Sequence, residues 1–557
     1  MSASPATDFS RAFVGALIAR GVTDAIISPG ARSQALALAC TEWEKEGKIT
    51  LHVVIDERSA AFRALGLALE TGVPALAIST SGSAPGHFLP AVMEAHHAGV
   101  PLMVVSADRP AELHGVGANQ TTQQQGLFGV MATTFDATAL AGSAEDSGVN
   151  TAVSAFDHAI QGRVAHVNVA FAEPLSSSEP TQLVLPSLPS PQGPTAPEKT
   201  LRVAPEPGTL VIAGHGAGGV AEQLAVDLGA PLIAEVSSGA HFGPHLLAAY
   251  RPVLAASTLP TPLTRVITVG RPTLSREVWR VLSDTGLQHI VLHRGEAQPS
   301  NPSRQAQIVD RLDVEGSATP EERSAWVKPW VMASRAHHEA ALAAVVPSIP
   351  ERADGDADNP AARNAFARQE MLVLRRQVSR AELSLALWEA SWPHDRLVLG
   401  ASSMIREMDR IVGPKNIPVF ANRGLSGIDG TISTARGIAQ AAPRSGSSGV
   451  TRVLLGDLAF LHDVGSLMQE PGRHDESKVH LFIANDGGGT IFDALEVAET
   501  APVEDFDRVM FTPQSVNIAA LAEAYGWEYL PVKTMGELAE ALVRGDEKLI
   551  VDVALER

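Results

Sequence analysis

The sequence predicts an α/β protein made of three doubly wound parallel-sheet domains, and three observations carry that reading. Short Val/Ile/Leu runs that read as buried strands alternate with Ala/Leu-rich segments of helical spacing along nearly the whole chain. At 557 residues the chain exceeds what one hydrophobic core supports. Two Pro-rich polar stretches, 185–200 and 347–372, read as linkers that cut it into units 1–184, 201–346 and 373–557.

The first unit opens with an amphipathic helix from Asp8, followed by strands at 25–28, 51–55, 75–79, 102–106 and 164–169 with helical patterns between them. Strand–helix alternation of this kind builds a parallel sheet with helices on both faces. The second unit starts at the 209–213 run. The third starts with a helix whose Leu383, Ala386 and Leu387 recur at helical spacing. Its strands are 397–399, 419–421, 451–455, 479–484 and 549–553. No short-period repeat is visible.

Composition narrows the function. Apolar residues make up 45% and aromatics 5%, ordinary for a globular protein apart from the few aromatics. A net charge of −19 argues against nucleic acid or an anionic membrane as partner. An anionic substrate would then need locally placed arginines. The single cysteine, Cys40, permits neither a disulfide framework nor a thiolate metal site within one chain. No leader pattern opens the sequence and no apolar run approaches the ~20 residues that span a bilayer, so a soluble cytoplasmic enzyme is expected.

The chemistry concentrates where strands end. Gly456-Asp457-Leu458 and Asn485-Asp486-Gly487-Gly488-Gly489 each follow an apolar run and precede a helical pattern. Between them lies about one crossover helix, so Asp457 and Asn485 should reach the same carboxyl edge of a sheet. Their oxygens suit a hard cation such as Mg²⁺ carrying a diphosphate, although Gly-Asp and Asn-Asp-Gly also make ordinary turns. In the first unit, strand ends are followed by Ser28-Pro29-Gly30-Ala31-Arg32-Ser33, by Asp56-Glu57-Arg58 and by Thr80-Ser81-Gly82. Asp108-Arg109-Pro110 and Asn119-Gln120 come next. In the third, Ser402-Ser403-Met404-Ile405-Arg406 and Asn422-Arg423-Gly424-Leu425-Ser426-Gly427-Ile428-Asp429-Gly430 repeat the arrangement. Arginine at so many strand ends points to a cleft for a diphosphate and a substrate with several carboxylates.

Taken together, these runs resemble one family, the thiamine-diphosphate-dependent 2-succinyl-5-enolpyruvyl-6-hydroxy-3-cyclohexene-1-carboxylate synthases of menaquinone biosynthesis. The resemblance extends from about Phe9 to the C-terminus, and the 422–430 run is its most specific part. It implies a pyrimidine-binding first domain, a Rossmann-like middle domain and a diphosphate- and metal-binding third domain. It further implies decarboxylation of 2-oxoglutarate and 1,4-addition of the succinyl carbanion to isochorismate. The cofactors would be thiamine diphosphate and Mg²⁺ (or Mn²⁺), in a homodimer or homotetramer whose active site lies between subunits.

The resemblance also assigns roles. Glu57 would hydrogen-bond the aminopyrimidine ring nitrogen and so activate the cofactor. Ile428 would bend the cofactor, with Ser81, Gly82, Ser402, Ser426, Gly456, Leu458, Ile491 and Phe492 around it. Asp457, Asn485 and the Gly487 carbonyl would hold the metal, with Asp486 as the neighbouring alternative to Asn485. Ser402, Arg406 and Arg423, assisted by Gln120, would receive 2-oxoglutarate. Arg32, Arg109, Asn119 and Arg276 would receive isochorismate, and Leu495 would complete an apolar wall. Ala31, Ser275 and Thr490 depart from residues common in the family. A rival remains in the middle unit, where Gly214-His215-Gly216-Ala217-Gly218-Gly219 and Glu235 match a dinucleotide fingerprint. That motif suggests an acetohydroxyacid-synthase-like enzyme acting on pyruvate with FAD.

Overall fold

The computed structural model describes residues 4–177, 182–189, 199–293, 297–346, 360–473 and 475–557. Strands β1 (Asp24–Ile27), β2 (Thr50–Val53), β3 (Ala75–Ser79), β4 (Leu102–Asp108), β5 (Thr133–Thr138) and β6 (Val164–Ala170) form one sheet in the order β2-β1-β3-β4-β6-β5. Every pairing in it is parallel. Its inner strands β1, β3, β4 and β6 are buried, and because side chains alternate across a sheet they fill both faces. Ile27, Ile78 and Val105 join one apolar cluster, while Ile26, Ala77 and Val104 join the cluster on the other face.

A two-stranded ladder of β7 (Thr200–Val203) with β13 (Arg311–Val314) flanks the middle sheet. That sheet contains β8 (Thr209–Ala213), β9 (Leu232–Ala234), β10 (Arg265–Val269), β11 (Gln288–Leu292) and β12 (Gln307–Val309) in the order β12-β11-β10-β8-β9. The last sheet contains β14 (Arg396–Leu399), β15 (Val419–Ala421), β16 (Thr451–Gly456), β17 (Val479–Asn485), β18 (Glu528–Val532) and β19 (Lys548–Ala554). Its order is β15-β14-β16-β17-β19-β18, the same winding as the first sheet strand for strand. The two sheets are therefore one topology used twice.

In the first and third units two strands had no counterpart in the sequence reading, β5 and β18; in the middle unit β7 and β10 to β13 had none. β5 and β18 are edge strands, and β5 is exposed or half-buried throughout, so neither carries a continuous apolar run. Of the second stretch read as linker, 347–359 lies outside the described residues, and the rest belongs to an exposed helix, Pro360–Leu374. In the first such stretch, 190–198 lies outside the described residues, 185–189 is neither helix nor strand, and Thr200 already belongs to β7.

The first and third units pack directly on each other. The Glu57–Thr71 helix lies against the Thr431–Ala441 helix, and a glycine on each side permits the approach. A Cβ on Gly66 would stand 2.0 Å from the Thr434 carbonyl oxygen, and one on Gly437 would stand 2.2 Å from that of Arg63. Buried Arg396 and Glu70 close the contact with paired hydrogen bonds of 2.8 and 2.6 Å. The 26-residue Pro320–Val345 helix ties the middle unit to the third, where His338 Nε2 meets the Ile411 carbonyl at 2.9 Å.

Candidate active site

β16 and β17 are parallel neighbours with Gly456 opposite Ala484, so Asp457 and Asn485 emerge side by side at one carboxyl edge. Asp457 opens the Asp457–His462 helix and is buried; its Oδ1 accepts the Leu458 N–H at 2.7 Å. Burial pushes its carboxyl up to about 6, the charges of Asp486 and Asp552 add to the shift, and the Leu458 N–H opposes it. No basic side chain pairs with it among the described residues, so this acidic corner suits a cation. Asn485 donates through Nδ2 to Asp552 Oδ1 at 2.9 Å, which leaves its side-chain carbonyl free. Asp486 is already committed, to Arg380 (2.8 and 3.2 Å) and to the Thr490 hydroxyl at 2.6 Å.

Thr490 thus fastens the turn rather than crowding it. Gly488 lies under the Phe511 carbonyl, which a Cβ would meet at 2.4 Å, so the chain there admits only glycine. Among the described residues no three His, Cys, Asp or Glu side chains group to hold a metal. A cation here would need an amide, a backbone carbonyl and ligand oxygens to complete its shell.

The same turn runs into a cleft of about 1200 Å³ between the middle and third units. Ile491, Phe492 and Leu495 form its apolar side, and Arg251, Arg271, Arg276, Arg406 and Arg410 enter from elsewhere. Arg406 sits on the Ser403–Ile411 helix, which Ser402 caps by accepting the Met404 N–H at 3.1 Å. Burial, then the charges of Arg251 and Arg276, hold the Arg406 guanidinium below its ordinary value. Ser275, one of the departures, is the N-cap of the Arg276–Leu282 helix and accepts the Val278 N–H at 3.1 Å. Arg423 does not line the cleft. It is buried behind the wall, donating to Thr273 Oγ1 at 2.8 and 3.0 Å.

The remaining expected residues collect at the carboxyl edge of the first sheet. Ser81 Oγ donates to the Gln120 carbonyl at 2.9 Å and Gln120 Nε2 returns a bond to the Ser81 carbonyl at 3.0 Å. Gln120 adopts φ 53° and Gly82 φ 85° to make this clasp. Arg32 donates to the Phe171 carbonyl at 3.0 Å; burial and then Arg109 hold it below its ordinary value, which puts the two guanidiniums in one locality. Asn119 is exposed. Glu57 begins its helix behind the Asp56 cap and forms no side-chain hydrogen bond or ion pair with a described residue.

The strand end ahead of Glu57 was expected to be buried, but it is not. β2 is an edge strand, Glu57 is half-buried and Ile55 is 64% exposed. None of Glu57, Arg32, Arg109, Asn119 and Gln120 lines the arginine cleft. The expected residues therefore fall into two separate groups, one at the arginine cleft and one at the carboxyl edge of the first sheet. Ile428 and Leu425 of the 422–430 run are partly exposed as well, and Ser426 adopts φ 62°.

Sequence reasoning missed three supports. Glu94 accepts the Gly424 and Leu425 N–H groups at 2.6 and 2.8 Å, Arg380 holds Asp486, and Thr273 holds Arg423. None lies in a recognisable motif. Only contacts between residues distant in the chain reveal such roles, and the sequence does not display them. The dinucleotide reading of the middle unit loses its acid: Glu235 is fully buried, its Oε1 accepting the Thr273 and Leu274 N–H groups at 2.7 and 2.6 Å. Gly214 is there for packing, since a Cβ would meet the Arg271–Pro272 backbone at 2.0–2.1 Å.

Residues 7–128 match the model of the thiamine pyrophosphate enzyme N-terminal TPP binding domain. Proteins named 2-succinyl-5-enolpyruvyl-6-hydroxy-3-cyclohexene-1-carboxylate synthase are similar over the full length. Those of Leifsonia xyli subsp. xyli and Clavibacter michiganensis subsp. michiganensis are each 45% identical, covering 100% of this chain and 97% of the relative. That of Mycobacterium avium is 32% identical over 97% of this chain and 94% of its own length.

Proposed function

The chain belongs to the 2-succinyl-5-enolpyruvyl-6-hydroxy-3-cyclohexene-1-carboxylate synthases, a family of thiamine-diphosphate enzymes, and we propose that it decarboxylates 2-oxoglutarate and joins the succinyl unit to isochorismate in menaquinone biosynthesis. The observation that carries the substrate assignment is the arginine cleft. It opens from the same 485–492 turn that would anchor the cofactor, in a molecule whose net charge is −19. Both substrates are dianions, and guanidinium forks match carboxylates.

When bound, thiamine diphosphate supplies an acidic carbon that takes up the 2-oxo acid and stabilises the charge left by loss of CO₂. Asp457, the Asn485 amide oxygen and the Gly487 carbonyl would hold Mg²⁺ or Mn²⁺ on the diphosphate. The free Asn485 carbonyl and the occupied Asp486 favour Asn485 over its neighbour. Gly456, Leu458, Ser402 and Ser426 would pack around the diphosphate and thiazolium, with Ile428 under the bend and Ile491 and Phe492 as wall. Ser81 and Gly82 would admit the flat pyrimidine ring. Glu57 would hold and share a proton with its ring nitrogen.

Arg406 and Arg276 would bind substrate carboxylates in the cleft, beside Leu495. Arg423 would act from behind Thr273, either directly after a shift of that wall or through it. Arg32, Arg109, Asn119 and Gln120 would close on isochorismate from the other half-site. The two half-sites meet if two copies pair, and the exposed apolar Ile55, Leu425 and Ile428 support a homodimer or higher assembly. No described helix is long and apolar enough to cross a membrane, and a cytoplasmic location accords with one buried cysteine.

The test supplies isochorismate, 2-oxoglutarate, thiamine diphosphate and Mg²⁺ and follows loss of both substrates. Turnover of pyruvate instead would overturn the assignment. Glu57→Gln should lose about 10²- to 10⁴-fold in kcat while cofactor binding, measured by calorimetry, persists. Full activity in that variant would remove Glu57 from the mechanism.

A further inference from the structure

We infer that Glu235 is a positioning residue of the substrate cleft, acting through the 273–274 backbone to hold the cleft wall and the Arg423 guanidinium. Glu235 follows β9 and has no exposed surface. Its Oε1 takes two N–H groups at once, from Thr273 at 2.7 Å and Leu274 at 2.6 Å. Thr273 then accepts Arg423 on Oγ1 at 2.8 and 3.0 Å and on its carbonyl at 3.3 Å. Thr273 to Arg276 form one wall of the cleft. One carboxyl thus sets the height of that wall and the place of the guanidinium behind it.

The charge state of Glu235 follows from its surroundings. Oε2 has no hydrogen-bond partner, a state far less costly for a neutral carboxyl than for a carboxylate. The charged and titratable groups facing it are Asp409 from the Ser403–Ile411 helix, Arg423 after β15, and, farther off, Arg406 and Tyr250. Asp409 is well supplied with donors, accepting from Val236 N–H at 2.8 Å, Tyr250 hydroxyl at 2.6 Å and Arg251 at 2.5 Å. Burial, then Asp409, pushes the Glu235 carboxyl up to about 8 against the pull of the two N–H groups and Arg423. Above that pH a new carboxylate would draw on Arg423 and weaken its hold on the Thr273 wall.

The dinucleotide-like acid of the sequence therefore has a different use. By staying uncharged it leaves Arg423 on Thr273 and the cleft wall in place. This step rests on the reaction proposed above, but part of its test does not. Because the folded value lies above the ordinary 4.5, the associated stability is full below pH ~4.5 and is lost as pH rises through ~8.

The experiment compares wild type, Glu235→Gln and Thr273→Ala as loaded enzymes. Melting temperature should fall more steeply between pH 5 and 9 in wild type than in Glu235→Gln. The KM for 2-oxoglutarate should rise about 3- to 10-fold from pH 7 to 9 in wild type and stay flat in Glu235→Gln, which at pH 7 stays within about threefold of wild type. Thr273→Ala should raise that KM about 3- to 10-fold at every pH. Equal melting slopes in wild type and Glu235→Gln, or a Thr273→Ala KM equal to wild type, would overturn the inference. The melting comparison uses no substrate, so absence of 2-oxoglutarate turnover in wild type overturns the functional reading alone.

Discussion

Gly66→Ala tests how closely the placement of Glu57, the residue proposed to activate the cofactor, depends on the contact between the first and third units. The added Cβ would stand 2.0 Å from the Thr434 carbonyl oxygen, where ordinary contact begins at 3.4 Å. The obstacle is backbone, so no rotamer change relieves it, and the Glu57–Thr71 and Thr431–Ala441 helices must part by roughly 1 Å. Overpacking of this kind costs about 1–3 kcal/mol, and the gain in helix propensity from Gly to Ala returns about 1 kcal/mol. With a rigid obstacle the upper end applies, leaving a net loss of about 2 kcal/mol. For a unit of this size that lowers the melting temperature by about 4–8 °C. Glu57 is the first residue of the displaced helix, and misplacement by about 1 Å can cost on the order of 10²-fold in rate. Thermal melting and steady-state turnover at 25 °C, where the variant is still folded, separate the two effects. A variant with wild-type stability and wild-type kcat/KM would refute the claim that this contact positions Glu57.

Arg380→Met should leave Asp486 without its cation beside Asp457 and Asp552. The apparent affinity for Mg²⁺ with thiamine diphosphate should fall about 10- to 100-fold by calorimetry, and unchanged affinity would dismiss Arg380 as a support of the turn. Asp475 offers a pH test. Burial raises its carboxyl, but Lys548, Ser477 and Arg436 outweigh burial and hold it at about 2, below the ordinary 3.8. Its contribution is therefore present above pH ~3.8 and lost as pH falls towards ~2. Asp475→Asn should lower the melting temperature at pH 7 and flatten the acid limb below pH 4; an unchanged acid limb would assign that limb to other carboxylates.

Much of the fold was legible because its strands are buried on both faces. A run such as Leu102 to Ser106 or Val479 to Ala484 has only one use in a soluble α/β protein. The edge strands β5 and β18 escaped because half their side chains face solvent and the apolar run is broken. The two glycine turns were legible for a related reason, since Asp457 and Asn485 stand where neighbouring parallel strands end. The supports were not. Glu94, Thr273 and Glu235 act through backbone N–H groups or a guanidinium distant in the chain, and such bonds leave no local pattern. Glu235 shows the hazard in reverse: a correct motif spacing pointed at a cofactor, while the side chain turned inward to brace a wall.

The cleft's arginines divide by whether a carboxylate of the protein already answers them. Arg251 is paired with Asp409 at 2.5 Å and Arg410 with Glu407 at 2.6 Å. Arg276 and Arg271 have no carboxylate within ion-pair distance among the described residues, and Arg406 donates only to the Ser402 carbonyl at 3.2 Å. Crowding guanidiniums is unfavourable; burial first, and then the charges of Arg251 and Arg276, lower the Arg406 value. In a chain carrying 62 acidic residues against 43 basic ones, surface carboxylates could have neutralised them. That they do not means the compensating charge is left to whatever enters the cleft. Each anion that binds relieves repulsion already built into the fold, so its affinity exceeds what the new contacts alone would give. A monocarboxylate such as pyruvate would relieve less of it than 2-oxoglutarate would, which makes the unpaired arginines a basis for choosing between the two acids and not only for binding them.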